Sequence, residues 1–175
     1  LLVALFGQEN AGILWSWVNP SSPTVDGITV ADDVLHQKKA GYLNLYFFSI
    51  RLIFYFAVFC GLSYWMRKVS FTQDHDGDPK WTHLGMKVSA IGIPATALSL
   101  TFGAFDLFMS LEYQWFSTMY GVWFFASGIR SALAITIIGC LYLKNKGTLN
   151  GIYKQAHQYD LACLSLAFTV FWAYI

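Results

Sequence analysis

Apolar residues in this chain are gathered into long runs, and short polar stretches separate one run from the next. Each complete run exceeds the roughly 20 residues that a helix needs to cross about 30 Å of hydrocarbon. The pattern therefore predicts an all-α, polytopic bundle of transmembrane helices, with three complete spans and partial spans at both ends. The predicted spans cover residues of about 43–66, 88–109, 118–143 and, truncated, 161–175.

The chain before the first complete span is predicted to be the end of a membrane helix followed by a polar loop. Residues 1–18 are mostly apolar and include Trp15 and Trp17, and tryptophan concentrates at membrane interfaces. Asn19-Pro-Ser-Ser-Pro23 ends regular structure, which predicts an outer loop over residues 19–42. Because both ends of the chain lie in apolar sequence, we expect it to be a segment of a longer polypeptide.

A polar stretch from Phe71 to Leu84 is predicted to be the connection between the first two complete spans. Within it, Asp78-Pro79 has the pattern of an N-cap followed by a first-turn proline, so the next helix is predicted to begin there. That helix should be partly amphipathic until it enters the membrane near Val88. Pro94 falls inside it, which membrane helices tolerate when neighbouring groups satisfy the freed carbonyl.

Basic residues are distributed unevenly between the two sides of the predicted bundle. The turn from Asp106 to Tyr120 contains none, whereas two connections on the other side are rich in them. By the positive-inside rule, the basic connections are predicted to be cytoplasmic and the Asp106–Tyr120 turn to face outward. The basic residues that set this orientation are Arg67, Lys68, Lys80, Lys87, Lys144, Lys146 and Lys154.

Composition agrees with a membrane protein and argues against other classes. Hydrophobic residues make up 56% of the chain and charged residues only 12%, about half the fraction typical of soluble domains. The formal net charge of +1 gives no basic footprint for nucleic acid. Cys60, Cys140 and Cys163 lie far apart in apolar runs, which predicts reduced cysteines packed as small hydrophobes rather than iron–sulfur, zinc or c-type haem sites.

Ionisable residues inside or beside the predicted spans are the candidates for chemistry, since they are costly in a membrane. Counted along straight helices, they sample nearly the full depth of the bilayer. The depth ordering indicates parts of a proton path. The candidates are Arg51, Asp106, Arg130, His157 and Asp160.

A structural interpretation competes with the proton path. Asp106 and Arg51 are predicted to lie about one and two turns inside the outer boundary and could pair only to fix helix packing, because buried charges need partners whether or not they do chemistry. His157 and Asp160, spaced i and i+3 at the inner boundary, could be solvated interfacial groups. Arg130 is too deep to reach the interface easily.

The predicted spans bear on two possible cofactors, haem b and quinone. No predicted span has a central histidine, so haem b ligation by this chain is not expected. Aromatic residues around Trp123 to Phe125 could line a quinone pocket, although an interface belt or lipid-facing packing is the simpler interpretation.

Three stretches carry a resemblance to a known family. They are Asp106-Leu-Phe-Met-Ser-Leu-Glu112-Tyr-Gln-Trp-Phe-Ser-Thr with the following Tyr120-Gly-Val-Trp-Phe-Phe-Ala126, Leu43-Asn-Leu-Tyr-Phe-Phe-Ser-Ile-Arg51, and Phe168-Thr-Val-Phe-Trp-Ala-Tyr-Ile175. Over about residues 40–175 the chain resembles a membrane subunit of alternative complex III, most similar to the ActF-type subunit of the NrfD/PsrC-like family.

The resemblance implies two four-helix bundles plus extra helices, of which this chain supplies one part. It implies partner subunits that carry c-type haems and iron–sulfur clusters, and a homologous membrane subunit that oxidises menaquinol. No cofactor, metal site or catalytic residue is expected in this chain itself. One departure is that Tyr113-Gln114 stands where the family commonly has Pro-His. If that histidine moves protons at the outer surface, this chain lacks it there.

The resulting prediction is a multi-pass subunit of a quinol:acceptor (cytochrome c) oxidoreductase in a bacterial cytoplasmic membrane, contributing to proton translocation and assembly. The alternatives are a quinone-binding subunit and a purely structural membrane scaffold. Lipids and the other subunits of the complex are the expected partners.

Overall fold

The computed structural model describes residues 12–24, 27–149 and 151–175. Within these ranges the protein is helical, without a named β-strand, and Pro23 and Thr29 form an isolated antiparallel bridge. This confirms the prediction of an all-α helical bundle. The α-helices are α1 (Val34–Lys39), α2 (Leu45–Asp76), α3 (Lys80–Leu107), α4 (Tyr120–Asn145) and α5 (Gln155–Tyr174), with 3-10 turns at Ser16–Val18 and Met109–Glu112.

Three helical segments of the described chain are long and apolar enough to cross a membrane. They are Leu45–Asp76, Lys80–Glu112 and Tyr120–Asn145. The predicted fourth span corresponds to α5, which begins at Gln155, several residues before the predicted boundary at 161. The predicted membrane helix at the start of the chain lies mostly outside the described residues.

Helix α2 continues well past the predicted end of its apolar run. Its N-cap is Asn44, whose side chain accepts a hydrogen bond from the Phe47 amide at 2.8 Å. It ends only where Gly77, with a φ of 65°, adopts the left-handed conformation that glycine favours. The sequence analysis placed a connection from Phe71, but no helix breaker occurs before Gly77, so the polar residues there extend the helix.

Helix α3 begins where the Asp78-Pro79 pattern predicts. The Asp78 side chain accepts a hydrogen bond from the Lys80 amide at 2.8 Å, and Pro79 directly precedes the first helical residue. The main-chain bond to Lys80 and its ammonium group lower the pKa of the Asp78 carboxyl. Pro94 lies inside α3 without ending it.

Helices α2 and α3 pack as an antiparallel hairpin. A Cβ on Gly92 would lie 3.2 Å from Leu62 Cδ2, and one on Gly103 would lie 3.8 Å from the Tyr55 ring. The order of contacts therefore runs in opposite directions along the two helices. Glycines on α3 allow this close approach, which is tightest at Gly92.

The loop before α2 folds onto the start of that helix. Trp15 and Trp17 are each 4% exposed, and both rings contact Phe48 edge-on at centroid distances of 5.6 and 5.3 Å. Val30 completes this apolar cluster. The sequence analysis read the two tryptophans as interface residues, and the structure shows that the protein itself covers them.

The chain divides into two compact units, Leu1–Ser117 and Thr118–Ile175. The second unit is the α4–α5 pair. Its helices are antiparallel, since Phe125 contacts Phe168 at 6.4 Å while the earlier Trp123 contacts the later Trp172 at 5.9 Å. Aromatic rings that could have lined a quinone pocket are thus engaged in packing α4 against α5.

Candidate functional site

The Asp106 carboxylate is fully buried near the end of α3 and forms an ion pair with Arg51 of α2. Arg51 Nε donates to Oδ2 at 2.7 Å, and Nη2 donates to Oδ1 at 2.9 Å. This fork geometry uses both carboxylate oxygens and is the strongest arrangement available to an arginine–carboxylate pair. Sequence depth alone indicated the pairing, and the structure brings these two predicted residues together.

Tyr55 adds a third hydrogen bond to the carboxylate. Its hydroxyl donates to Asp106 Oδ2 at 2.8 Å, and the residue is only 7% exposed. Tyr55 follows Arg51 by four residues on α2, so both side chains lie on the helix face toward α3. The sequence analysis missed Tyr55, although its i, i+4 spacing from Arg51 was a signal that could have identified it. We call Arg51, Tyr55 and Asp106 the Asp106 site.

The guanidinium of Arg51 is also held on its second side. Nη1 donates to the Tyr42 carbonyl oxygen at 3.1 Å, and Cζ lies 3.9 Å from the Tyr42 ring centroid and 4.3 Å from that of Phe47. Such cation–π contacts strengthen when water is excluded. Burial, assisted by the charge of Asp106, raises the pKa of Tyr42 to about 12. The phenol therefore stays neutral at physiological pH.

Ser110 fixes the chain just after the carboxylate. Its hydroxyl donates to the main-chain oxygen of Asp106, one turn back, where α3 gives way to the 3-10 turn Met109–Glu112. A carbonyl at a helix end needs such a partner when it is buried. Glu112, the other acid of this turn, is exposed.

A second polar cluster, which the sequence analysis did not identify, joins the loop to the turn after α3. Asp33 Oδ2 accepts hydrogen bonds from the Tyr113 hydroxyl at 2.7 Å and the Gln114 amide at 3.4 Å, and Oδ1 accepts from the Leu35 amide at 2.8 Å. Lys39 Nζ donates to the Tyr113 carbonyl at 2.6 Å. The bond from Tyr113 is the main cause that lowers the pKa of Asp33. We call Asp33, Tyr113 and Gln114 the Asp33 cluster.

A cavity of about 300 Å³ borders both groups of residues. Its wall is mostly apolar, and its lining includes Tyr42 and Ser110, which contact Arg51 and Asp106, and Tyr113 of the Asp33 cluster. Asp106 itself does not line it. The remaining lining residues are Lys39, Leu43, Phe105, Met109, Trp115 and Phe116.

Arg130 lies in the second unit and contacts an aromatic ring instead of a carboxylate. Its Cζ lies 4.5 Å from the centroid of the Trp172 ring on α5. Neither ion pair found in the described residues involves it. It is half-exposed. The proton-path prediction for Arg130 therefore finds no neighbouring carboxylate or histidine in that part of the chain.

His157 and Asp160 lie together at the start of α5, as their spacing predicts, and both are exposed. His157 Nδ1 accepts a hydrogen bond from the Lys154 amide at 3.3 Å, and its ring stacks on Tyr153 at 6.3 Å. The histidine side chain thus caps the start of the helix by accepting the bond from the Lys154 amide. Along α5, Asp160 is separated from Trp172, and so from the Arg130 contact, by about 18 Å.

No cluster of three or more histidine, cysteine or acidic residues that could hold a metal ion occurs among residues 12–24, 27–149 and 151–175. No model of a known protein family matches the chain, and no curated protein matches it. Its function is therefore argued from the residues and the geometry described above.

Proposed function

We propose that this chain is a membrane subunit of a respiratory quinol:acceptor oxidoreductase of the alternative complex III type, and that it contributes to proton translocation and assembly. The resemblance of the Asp106–Ala126, Leu43–Arg51 and Phe168–Ile175 stretches supports the family. Three helices of sufficient length and apolar character support a polytopic subunit. Haems, iron–sulfur clusters and menaquinol oxidation would belong to partner subunits in a bacterial cytoplasmic membrane.

The Asp106 site is the observation that carries the proposed role in proton translocation. It places a fully buried carboxylate between a guanidinium and a phenol, one residue before the end of α3 that the sequence predicts to face outward. Ionisable groups inside a span are candidates for proton or ion pathways, because they are costly in a membrane. Tyr42 and Ser110 connect this site to the edge of the adjacent cavity.

A transfer step at this site requires the ion pair to open. Asp106 Oδ2 already accepts bonds from both Arg51 Nε and Tyr55, so the carboxylate can take a proton only as the guanidinium withdraws. The Tyr42 carbonyl and the rings of Tyr42 and Phe47 would retain the guanidinium on its other side. When Arg51 returns, the proton would leave Asp106, as opposite charges favour the ionised form.

The test is proton pumping by the reconstituted complex with Asp106→Asn. In complex that assembles and oxidises quinol, the expected result is fewer protons moved per electron, because the amide keeps one acceptor oxygen but cannot carry the proton. Glu112→Gln is the matched control, since Glu112 is an exposed acid six residues away, and it should leave the ratio unchanged. An unchanged ratio in assembled Asp106→Asn complex would refute the role in translocation.

A structural scaffold is the second candidate, and the closed fork geometry of the ion pair favours it. In that case Arg51 and Asp106 only hold α2 against α3. Replacing both by apolar residues of similar volume, Arg51→Met with Asp106→Leu, should then preserve turnover, assembly and proton pumping, since apolar replacements of buried pairs are often neutral. Loss of pumping with preserved assembly would instead favour translocation.

A further inference from the structure

Arg130 lies near the middle of the apolar helix α4. The helix runs from Tyr120 to Asn145, and Arg130 is within about 4 Å of its midpoint at 1.5 Å per residue. If α4 is centred in about 30 Å of hydrocarbon, the guanidinium is far from both headgroup layers. A lipid phosphate is therefore not a natural counterion for it.

Two hydrogen-bond donors without acceptors meet at this position. The guanidinium of Arg130 contacts the Trp172 ring face, and neither ion pair of the described chain includes it. The indole Nε1 of Trp172 is buried and has no hydrogen-bond partner within the described ranges. Buried donors are normally satisfied, so the buried, unpaired indole beside a guanidinium that has no ion pair in the described chain indicates a missing acceptor. The half-exposed guanidinium is the group that an approaching acceptor would meet first.

The acids of this chain are poorly placed to supply that acceptor. Asp106 is already bonded to Arg51 and Tyr55. Asp160 is about 18 Å from Trp172 along α5. The other acids that the structure describes lie in polar connections or at helix ends, and Glu9 and Asp26, outside the described residues, occur in polar stretches of sequence.

The surface beside Arg130 is shaped for a close helix contact. Ser127 and Ala134 are its neighbours one turn before and after on the same face of α4. Both side chains are small, and Ala134 is exposed. Small residues let a second transmembrane backbone approach, where a carboxylate on it can reach the guanidinium.

We propose that the Arg130 face of α4 is the docking site for a transmembrane helix from outside residues 1–175, which carries an aspartate or glutamate at mid-membrane depth. The carboxylate accepts hydrogen bonds from Arg130 and neutralises its charge, as buried charges require. This partner is required by the unsatisfied arginine, whatever reaction the assembly carries out. The proposal therefore stands or falls separately from the respiratory function proposed above.

Photocrosslinking in the intact membrane assembly tests the proposal. A photoreactive diazirine amino acid is placed at Ala134, on the Arg130 face, and in a matched control at Ile135, which is 71% exposed but points about 100° away. The crosslinked peptide is then identified by mass spectrometry. The expected result from position 134 is a segment from outside residues 1–175 with an acid inside an apolar run, whereas position 135 does not capture that segment.

The dependence on charge supplies the second measurement. Arg130→Leu should lower the crosslinking yield from position 134 by at least about tenfold, because truncating one partner of a buried charge pair weakens association strongly. Arg130→Lys should retain most of the yield. If Arg130→Leu does not accumulate in the membrane, neutralising the acid on the captured helix should produce the same loss.

Three results would overturn the proposal. The first is crosslinking from position 134 to lipid alone or to another part of residues 1–175. The second is capture of a helix that has no acid in its apolar run. The third is a yield that does not change when either charge is removed.

Discussion

Arg51 and Arg130 both interrupt apolar helices, yet the contacts of their guanidinium groups differ. Arg51 reaches both oxygens of Asp106 and the Tyr42 carbonyl, and two aromatic rings cover it. Arg130 contacts one aromatic ring, and the described residues provide no carboxylate for it. The partners of Arg51 lie within its own unit. For Arg130 the described residues supply an aromatic contact but no counterion.

The difference separates two uses of a buried charge. A pair closed within the unit links α2 to α3, and removing one member leaves the other charge buried and uncompensated. A charge that has no counterion within its own unit adds little to the stability of that unit and can provide affinity for a partner instead. The same residue type in similar apolar sequence can therefore stabilise a hairpin at one position and an assembly at another.

Removing the Asp106 carboxylate should produce the largest effect. Asp106→Leu leaves Arg51 Nε and Nη2 and the Tyr55 hydroxyl without an acceptor, so the free energy of unfolding of the chain in mixed micelles should fall by about 3–5 kcal/mol. Adding Arg51→Met to this variant should recover most of the loss, because no uncompensated charge remains. A single variant as stable as the wild type would show that the pair does not hold the hairpin together.

Loss of the Tyr55 hydroxyl should produce the next largest effect. Tyr55→Phe keeps the packed ring but removes one hydrogen bond to a charged acceptor, which should cost about 1.5–3 kcal/mol of unfolding free energy. Tyr46→Phe is the matched control on the same helix, since Tyr46 is 80% exposed and should change stability by less than about 0.5 kcal/mol. Equal effects of the two substitutions would contradict a specific role for Tyr55.

Much of the helical framework could be predicted from local sequence. The apolar runs located α2, α3 and α4, and Asp78-Pro79 located the start of α3. The end of α2 could not be predicted from the apolar pattern, because hydropathy marks where a helix leaves hydrocarbon and not where its hydrogen bonds stop. Gly77, eleven residues beyond the predicted end of that span at residue 66, was the physical signal for the stop.

The candidate site was predictable only in part. Arg51 and Asp106 could be matched because both interrupt apolar runs at similar depth. The Asp33 cluster could not, because 80 residues separate Asp33 from Tyr113 and no periodicity links a loop acid to a turn tyrosine. Trp15 and Trp17 have the composition of an interface belt, and only the fold of the loop shows that they cover Phe48.

Arg130→Leu should have a small effect on the isolated chain, in contrast to the substitutions at the Asp106 site. The substitution removes a single cation–π contact, so the unfolding free energy in micelles should change by no more than about 1 kcal/mol. Arg51→Leu, which strands the fully buried Asp106 carboxylate, is the comparison and should be far more destabilising. If the two leucine variants lost equal stability, Arg130 would have an internal partner and the contrast between the arginines would fail.

The smallest expected effect is a pH dependence from the Asp33 cluster. The folded-state pKa of Asp33 lies below its ordinary value of 3.8, chiefly because Tyr113 donates to it. A lowered pKa contributes stability that is fully present above that ordinary value and is lost as the pH falls through the folded-state pKa. Unfolding measured in micelles between pH 6 and about 2 should therefore show stability falling below roughly pH 4.

Tyr113→Phe isolates this contribution because it keeps the ring against His36 and removes the hydroxyl that donates to Asp33. The variant should be slightly less stable at neutral pH and should lose less stability on acidification, so the two pH curves converge at low pH. Asp33→Asn should flatten the same region, since an amide does not titrate. Parallel curves for the wild type and Tyr113→Phe would mean that other carboxylates cause the acid sensitivity and that the Asp33 cluster does not hold the loop through its charge.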